Sequence, residues 1–360
     1  MKEAPKILIW NGSSGECKQT LFGHTETVFS AVFSADGTSA LTASRDNTAK
    51  VWDTSTGACK RTLAGHTKPL FSAVFSPDDT SVLTTSAEGT AKVWNTSTGE
   101  CQQTLSGHTD CVITAHFSTD GTSVVTTSRD RTVKVWDAST GACTLTLSGQ
   151  EMDQTLSGQE IGHLCQKATV LSPDRSSILT RKGYSLWIRD TTTGARKQKL
   201  EGHTDWVFSG QFSTDGTSLV SASRDRTAKV WDIATGICEQ TLTGHTDDVY
   251  TAQFSADGTS VLTTSWDKTA KLWDTATGAC RQTLFGPTGP PFIYVHSAAL
   301  SIDGTLVLTA FGGKTAKVWD ARTGACKQTL SGHSDTVLSA CFSPLGFSPP
   351  TRTAKRQRID

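Results

Sequence analysis

The stretch from Gly23 to Asp53, GHTETVFSAVFSADGTSALTASRDNTAKVWD, is one unit of a pattern that generates most of the chain. It recurs from Gly65-His66 to Trp94-Asn95 and from Gly107-His108 to Trp136-Asp137. It returns from Gly202-His203 to Trp231-Asp232 and from Gly244-His245 to Trp273-Asp274. Trp10, Trp52, Trp94 and Trp136, and again Trp231 and Trp273, are spaced at about 42 residues. Within a unit the apolar pattern has period two, and VFSAVFS, SALTAS, AKVWD and CKRTL read as four short strands. Their separators, Ala35-Asp36-Gly37, Arg45-Asp46-Asn47 and Thr54-Ser55-Thr56-Gly57, carry turn chemistry. Four such strands make a small twisted sheet that cannot bury both faces alone. Stacking the sheets around an axis buries them against one another, and closing the circle protects the ends. The expectation is an all-β propeller, one repeat domain rather than the two or three that 360 residues suggest.

Composition removes other classes. Lys+Arg and Asp+Glu both number 34, so no basic field marks a nucleic-acid or membrane-surface partner. Charged residues are only 19%, with Ser, Thr and Gly in their place, as in turn-rich β proteins. No apolar run approaches a membrane span, and the run in MKEAPKILIWNGSSGE is too short for a secretory signal.

The GH dipeptide followed by WD at this phase, repeated around the chain, resembles the WD40-repeat β-propeller family from about residue 6 to 344. The resemblance implies strands a to d running outward from a central channel, with the Trp ending strand c. It also implies that the loud polar residues are structural, forming buried networks of a GH histidine, a strand-b hydroxyl, a b–c-turn Asp and the Trp. The matching sets are His24, Ser44, Asp46, Trp52; His108, Ser128, Asp130, Trp136; His203, Ser223, Asp225, Trp231; and His245, Ser265, Asp267, Trp273. A buried indole N–H or hydroxyl is tolerable once every donor has an acceptor. A catalytic site does not need its residues copied around a ring.

Departures mark weak units. In the second, Glu88 stands where Asp is expected; in the seventh, Pro287 replaces His and Gly312 falls at the Asp position. In the fourth, alignment on Asp190 puts Arg189 in the Trp slot, moves Trp187 two residues earlier and shortens the b–c turn. Blades four and seven are therefore expected to be the least stable. Thr146–Glu151 reappears as Thr155–Glu160, a duplication that predicts an extended loop, and Gly286–Pro291 reads as a proline-stiffened one.

Two blade counts are open. Seven units carry all four strands. An orphan c and d pair (residues 6–21) and an orphan strand a (Val337–Phe342) favour an eighth, incomplete closing blade, with seven as the alternative. The missing strand b would have to come from Leu345–Pro350, whose two prolines make a poor strand. Residues 345–360 read as an irregular basic tail; Lys355-Arg356-Gln357-Arg358 is either a nuclear signal or a solvated end.

Cys17, Cys59, Cys101, Cys143, Cys238, Cys280 and Cys326 share one slot at the start of strand d. Equivalent points on neighbouring blades lie beyond disulfide reach, so free thiols acting as small apolar filler in a reducing cytoplasm, or alternatively the nucleus, are expected. No CxxC suggests a metal, and no cofactor is expected.

By the resemblance, the fifth residue after each GH histidine faces the channel mouth on the top face: Phe29, Phe71, Ile113, Phe208, Tyr250 and Leu338, with His296 in the seventh unit. Trp206 and Trp266 lie in neighbouring loops of that face. Several relatives grip a short peptide there, often around a basic side chain; the bland alternative is that these side chains only fill the funnel. Arg45, Arg129, Arg131, Arg224, Arg226 and Lys268 ring the b–c turns, while Glu26, Asp110, Asp205, Asp247, Asp248 and Asp335 lie in the d–a loops. Mixed signs argue against a nucleic-acid groove and leave mutual pairing or selection of a protein partner. Replacing Phe29, Phe71, Phe208 and Tyr250 with Ala is expected to abolish partner capture without unfolding the ring.

The function expected is a non-catalytic scaffold or adaptor for proteins or short peptides, itself monomeric within a larger complex, with no nucleic acid and no membrane. The alternatives are a propeller hydrolase or lyase with a channel site, and a G-protein β-like signalling subunit. Neither GxSxG, a phosphate loop nor HExxH occurs, and fold alone does not select a pathway.

Overall fold

Each repeat folds as its alternation dictates. In the first, Val28–Phe33, Ser39–Ser44, Thr48–Asp53 and Cys59–Ala64 pair antiparallel in chain order, as strands a to d of blade 1. Residues of one parity on strands b and c, Leu41 and Val51, are buried against the next sheet. The chain is described here from a computed structural model covering residues 5–11, 14, 16–148, 171–174, 176–286, 295–311, 314–333, 337 and 340–343.

Blade 2 spans Leu70–Phe75, Ser81–Ser86, Thr90–Asn95 and Cys101–Ser106; blade 3 spans Val112–Phe117, Ser123–Ser128, Val133–Asp137 and Cys143–Leu147. Blade 5 comprises Val207–Phe212, Ser218–Ser223, Ala228–Asp232 and Cys238–Leu242. Blade 6 comprises Val249–Phe254, Ser260–Ser265, Thr269–Asp274 and Cys280–Phe285. Blade 7 runs through Val295–Leu300, Leu306–Phe311, Thr315–Asp320 and Cys326–Ser331. Blade 4 shows three strands, Ser177–Lys182, Ser185–Asp190 and Arg196–Leu200, with Leu171 bridged to Ile178 where strand a belongs.

Apolar layers lie between successive sheets rather than within one. Leu41, Val51 and Leu63 of blade 1 meet Leu70, Val82 and Trp94 of blade 2, and the same arrangement joins blades 5 and 6 through Val220, Val249 and Trp273. Polar clasps add to this: the Nε2 atoms of Gln103 and Gln240 on strand d donate to Ser139 O and Ala276 O in the next c–d turn, both at 2.7 Å. Strand a is innermost, where Ala252 N of blade 6 donates to Ser209 Oγ of blade 5. The antiparallel order puts all b–c turns and d–a loops on one face, called the top, and all a–b and c–d turns on the other.

Seven blades are what the structure shows, not the favoured eight. Strands β1 (Ile7–Trp10) and β2 (Cys17–Leu21) pair only with each other among the described residues. Ile7, Ile9 and Leu21 cover Trp52 of blade 1, while Trp10, Ala340 and Phe342 cover Leu306 and Leu330 of blade 7. Ala340 O accepts from Ser297 Oγ of blade 7, and Cys341 Sγ donates to Ala31 O of blade 1. Among the described residues this wedge closes the gap without a four-stranded sheet. Its physical difficulty is strand b, for which the chain offers a proline-broken segment that lies outside the described residues. So do the tail and most of the duplicated loop.

Blade 4 is the irregular one, and the reason is local. Lys182 pairs with Ser185, so a two-residue turn, Gly183-Tyr184 with Gly183 at φ 60°, replaces the longer turn that carries Asp in blades 1, 3, 5 and 6. Amide exchange in blade 4 is expected to be faster than in blade 5 under native conditions. Equal protection of strands b and c in the two blades, read by mass spectrometry, would remove this ranking.

Candidate functional site

The repeated GH histidines are the residues most suggestive of chemistry. His24 sits 2.7 Å from Asp46 Oδ2 through Nδ1 and 2.8 Å from Thr42 Oγ1 through Nε2. Trp52 Nε1 donates to the same Thr42 hydroxyl at 2.8 Å. The donor count assigns the tautomer: Nδ1–H faces the carboxylate, the Thr42 hydroxyl donates to Nε2, and its lone pair receives the indole. The histidine is thereby neutral, in keeping with burial, which pushes its pKa down despite the neighbouring Asp46. Asp46 also accepts from Thr25 N and from Thr48 N and Oγ1.

The relay repeats as His108–Thr126–Trp136 with Asp130, His203–Ser221–Trp231 with Asp225, and His245–Thr263–Trp273 with Asp267. The hydroxyl is therefore two residues earlier than expected. Ser44, Ser128, Ser223 and Ser265 do not touch the indoles; they donate to Glu26 O, Asp110 O, Asp205 O and Asp247 O, bracing the d–a loops. Both slots share one strand face because the side-chain period is two. Only the inner one lies between His and Trp. Gly23 is required for the same closeness: a Cβ there would lie 3.3 Å from Trp52 Cη2, at φ +147°.

The departures behave as substitutes. Glu88 reaches His66 Nδ1 at 2.5 Å, and Thr84 completes that relay. Burial pushes the Glu88 carboxyl up, but hydrogen bonds from Thr67, Thr90 and His66 outweigh it and bring its pKa down to about 2. Arg189 does occupy the Trp slot of blade 4, buried, with Nε donating to Thr180 Oγ1 at 3.2 Å. Trp187 lies under Arg196 and Lys199 instead, at 4.6 and 5.2 Å. In blade 7, Trp319 keeps its bond to Thr309, while Pro287 and Gly312 fall outside the described residues.

The repeated cysteines fill little apolar space: only Cys238 packs against a core cluster. Six of the seven are exposed and Cys238 is half-buried, at the bulge where strand d meets the Trp of strand c. Cys59 Sγ donates to Arg61 O at 3.3 Å. All seven are free thiols.

The top face divides the expected partner residues. Phe29 and Phe71 are half-buried and stack at 6.3 Å, and Ile113 follows them round the ring, also half-buried. Phe208 and Tyr250 occupy the same slot but are only 6% and 2% exposed, stacked at 4.7 Å, and Trp266 lies on Tyr250 at 4.8 Å. For these two the funnel-filling reading is the correct one: neighbouring rings cover them. Trp206 is half-buried, with the guanidinium of Arg181 5.2 Å from its centroid and Tyr184 edge-on at 6.3 Å. Sequence reasoning missed Arg181 and Tyr184; the signal was their departure from the repeat.

Arg45, Arg129 and Arg224 are all exposed. Arg224 Nε stands 3.9 Å from Asp205 and 3.8 Å from Asp248, so mutual pairing holds for this member. His296 lies on strand a of blade 7, and Leu338 and Asp335 lie outside the described residues.

The family profile described as "WD domain, G-beta repeat" matches residues 15–53, 57–95, 99–137, 194–232, 236–274, 278–320 and 324–347. The chain belongs to the WD40 family. Its longest unmatched sector, 138–193, contains strand d of blade 3 and the first two described strands of the irregular blade 4, Ser177–Lys182 and Ser185–Asp190. This WD40 chain is similar to the crystal structure of the computationally designed Ika8 protein, at 28% identity and TM-score 0.73 over 89% of this chain and 92% of that one. It is 39% identical over 64 residues (17% of this chain) to the nuclear distribution protein PAC1 of Arthroderma otae. It is 28% identical over 80 residues (22% of this chain) to the human intraflagellar transport protein 122 homolog. These matches span only 14% and 6% of those relatives. Membership indicates a protein-interaction scaffold in general terms.

Proposed function

We propose that this WD40 propeller is a non-catalytic scaffold that holds a protein or short-peptide partner on its top face. One observation carries the reading. Phe29, Phe71, Ile113, Trp206 and Trp266 remain half-buried at a face whose repeated histidines and carboxylates are consumed by internal relays. Partly exposed aromatic side chains set among charges of both signs suit a protein surface rather than a nucleic-acid backbone. A propeller enzyme would need an unrepeated cluster of acid–base groups converging on the channel, and the channel-mouth slots hold Phe29, Phe71, Ile113, Phe208, Tyr250 and Leu338, with a single imidazole, His296, in the seventh unit. The reading includes no metal, cofactor or membrane, a monomeric ring inside a larger complex, and a reducing compartment such as the cytoplasm for its exposed thiols.

The test replaces Phe29, Phe71, Trp206 and Trp266 together with Ala. Phe208 and Tyr250 are left intact because truncating such buried rings would damage the ring itself. The principal protein co-purifying from the native cell is expected to fall by an order of magnitude or more, with circular dichroism unchanged. Undiminished recovery from a folded variant would overturn the top-face reading.

A further inference from the structure

Strand d closes each sheet on the outer rim and begins with the same bulge in blade after blade. In blade 1, Trp52 pairs with Cys59 but Val51 pairs with Arg61, so Lys60 is the extra residue. Three residues apart on a regular strand, Cys59 and Thr62 would point to opposite faces; the extra residue brings both side chains to one. Lys50 lies directly across from Thr62 on strand c and shares that face.

The result is a line of three groups. Cys59 Sγ stands 3.7 Å from Thr62 Oγ1, which accepts from Lys50 Nζ at 2.9 Å. The line repeats as Cys101–Thr104–Lys92, Cys143–Thr146–Lys134, Cys238–Thr241–Lys229 and Cys280–Thr283–Lys271. In blade 3 the sulfur comes closest, 3.4 Å from Thr146 Oγ1. All these thiols are exposed except the half-buried Cys238. Elsewhere on the rim, Lys60, Lys197 and Lys327 are held by Asp53, Asp190 and Asp320 at 3.1, 3.2 and 3.0 Å. The strand-c ammoniums instead hold a neutral hydroxyl, with no carboxylate in ion-pair range among the described residues. Each keeps an unbalanced positive charge beside a nucleophilic group, and the hydroxyl fixes where that charge sits.

We propose that these rim lines are modification sites, at which a small anionic disulfide of the glutathione class docks a carboxylate on the lysine and forms a mixed disulfide with the cysteine. The attacking group is the thiolate. Its sulfur bonds one sulfur of the small disulfide as that S–S bond breaks, and the departing thiolate takes up the proton the cysteine gave up. Protein and glutathione disulfide are consumed; modified protein and one glutathione are formed, with no other oxidant. Each adduct places a tripeptide of net negative charge on the rim, so equivalent sites in several blades change the rim together. The inference is independent of what the top face binds. Cys111 and Cys341 lie outside the pattern. Burial raises both thiols, Cys341 to about 11, which keeps them out of the exchange while the ring is folded.

The test uses the reduced full chain and glutathione disulfide, with unreacted thiols alkylated and each cysteine read by peptide mass spectrometry. Blade 3 is the cleanest site, because Thr144 beside Cys143 is uncharged. Lys134→Met should slow modification of Cys143 about two- to fivefold, the range for one exposed charge pair, while Cys101 keeps its rate. Lys271→Met, read at Cys280, repeats the measurement where Arg281 is already held by Asp274. High salt should remove the difference. Neutral hydroxyethyl disulfide should not distinguish parent from variant, and cationic cystamine should react faster with the variant. Cys111 and Cys341, unmodified throughout, show that the ring is folded. An unchanged glutathione rate in either variant, or no mixed disulfide at the parent's exposed rim thiols, would overturn the proposal. Equal slowing with the neutral disulfide would overturn it too, because the lysine would then act on the thiol and not on a carboxylate.

Discussion

Trp273→Ala is expected to lower the unfolding free energy by roughly 3–5 kcal/mol, the range for emptying a buried aromatic site. The indole is 1% exposed and forms the wall between blades 5 and 6 with Val220, Val249 and Val261. The cavity is only part of the cost. Thr263 Oγ1 would lose the Nε1 donor, which leaves His245 held by one hydroxyl and Asp267. Thr263→Val separates the two contributions, because it keeps the volume and leaves two ring nitrogens unsatisfied. It should cost about 2–3 kcal/mol. Ser265→Ala removes the brace on Asp247 O and the acceptor of Asp267 N, neither of which reaches the indole, and should cost about 1 kcal/mol. Urea unfolding followed by circular dichroism ranks the three. A Thr263→Val protein as stable as the parent, or a Ser265→Ala protein less stable than Thr263→Val, would show that the indole does not hang on the inner hydroxyl.

Acidification is the second large effect, since the relay groups whose pKa values are displaced all lose stability in the same direction. Burial lowers the pKa of His24, His66 and His108. Each is kept neutral when folded, and its contribution is complete above the unfolded value of about 6.5 and declines as pH falls below it. Asp46, Asp130, Asp225 and Asp267 are pushed up by burial but pulled further down by His and Thr hydrogen bonds, as Glu88 is. Carboxylates depressed in the folded state contribute stability that is present above about pH 4 and lost as pH falls through their folded values. Tm should therefore decline gently below pH 6.5 and steeply below about pH 4. Glu88→Gln should be less stable than the parent at pH 7, with the difference shrinking toward pH 2–3 as Glu88 protonates. A Tm gap that does not change with pH would mean that the Glu88 charge contributes nothing to the relay.

Much of this was readable from residues alone. The alternation in VFSAVFS and SALTAS, the turn residues between them and the tryptophan spacing determined sheet type, strand order and repeat domain, because side-chain period and turn geometry are local properties. Arg189 in the indole slot and Glu88 in the carboxylate slot were equally legible, since each follows from counting along one unit. Counting could not choose between Thr42 and Ser44. They share a strand face, and only the position of the His24 ring between loop and indole decides which hydroxyl completes the relay.

Tertiary structure alone decided the rest. Phe29 and Phe208 hold the same slot in nearly the same sequence, yet Tyr250 and the rings beside it seal Phe208 while Phe29 stays half-buried. Cys59 and its copies, expected as small apolar filler at the start of strand d, are exposed or half-buried at a bulge on that strand. The closing wedge of β1, β2 and residues 340–342 depends on chain ends more than three hundred residues apart in sequence. Burial and closure are sums over neighbours contributed by other blades, so the pattern within one repeat contains no term for them.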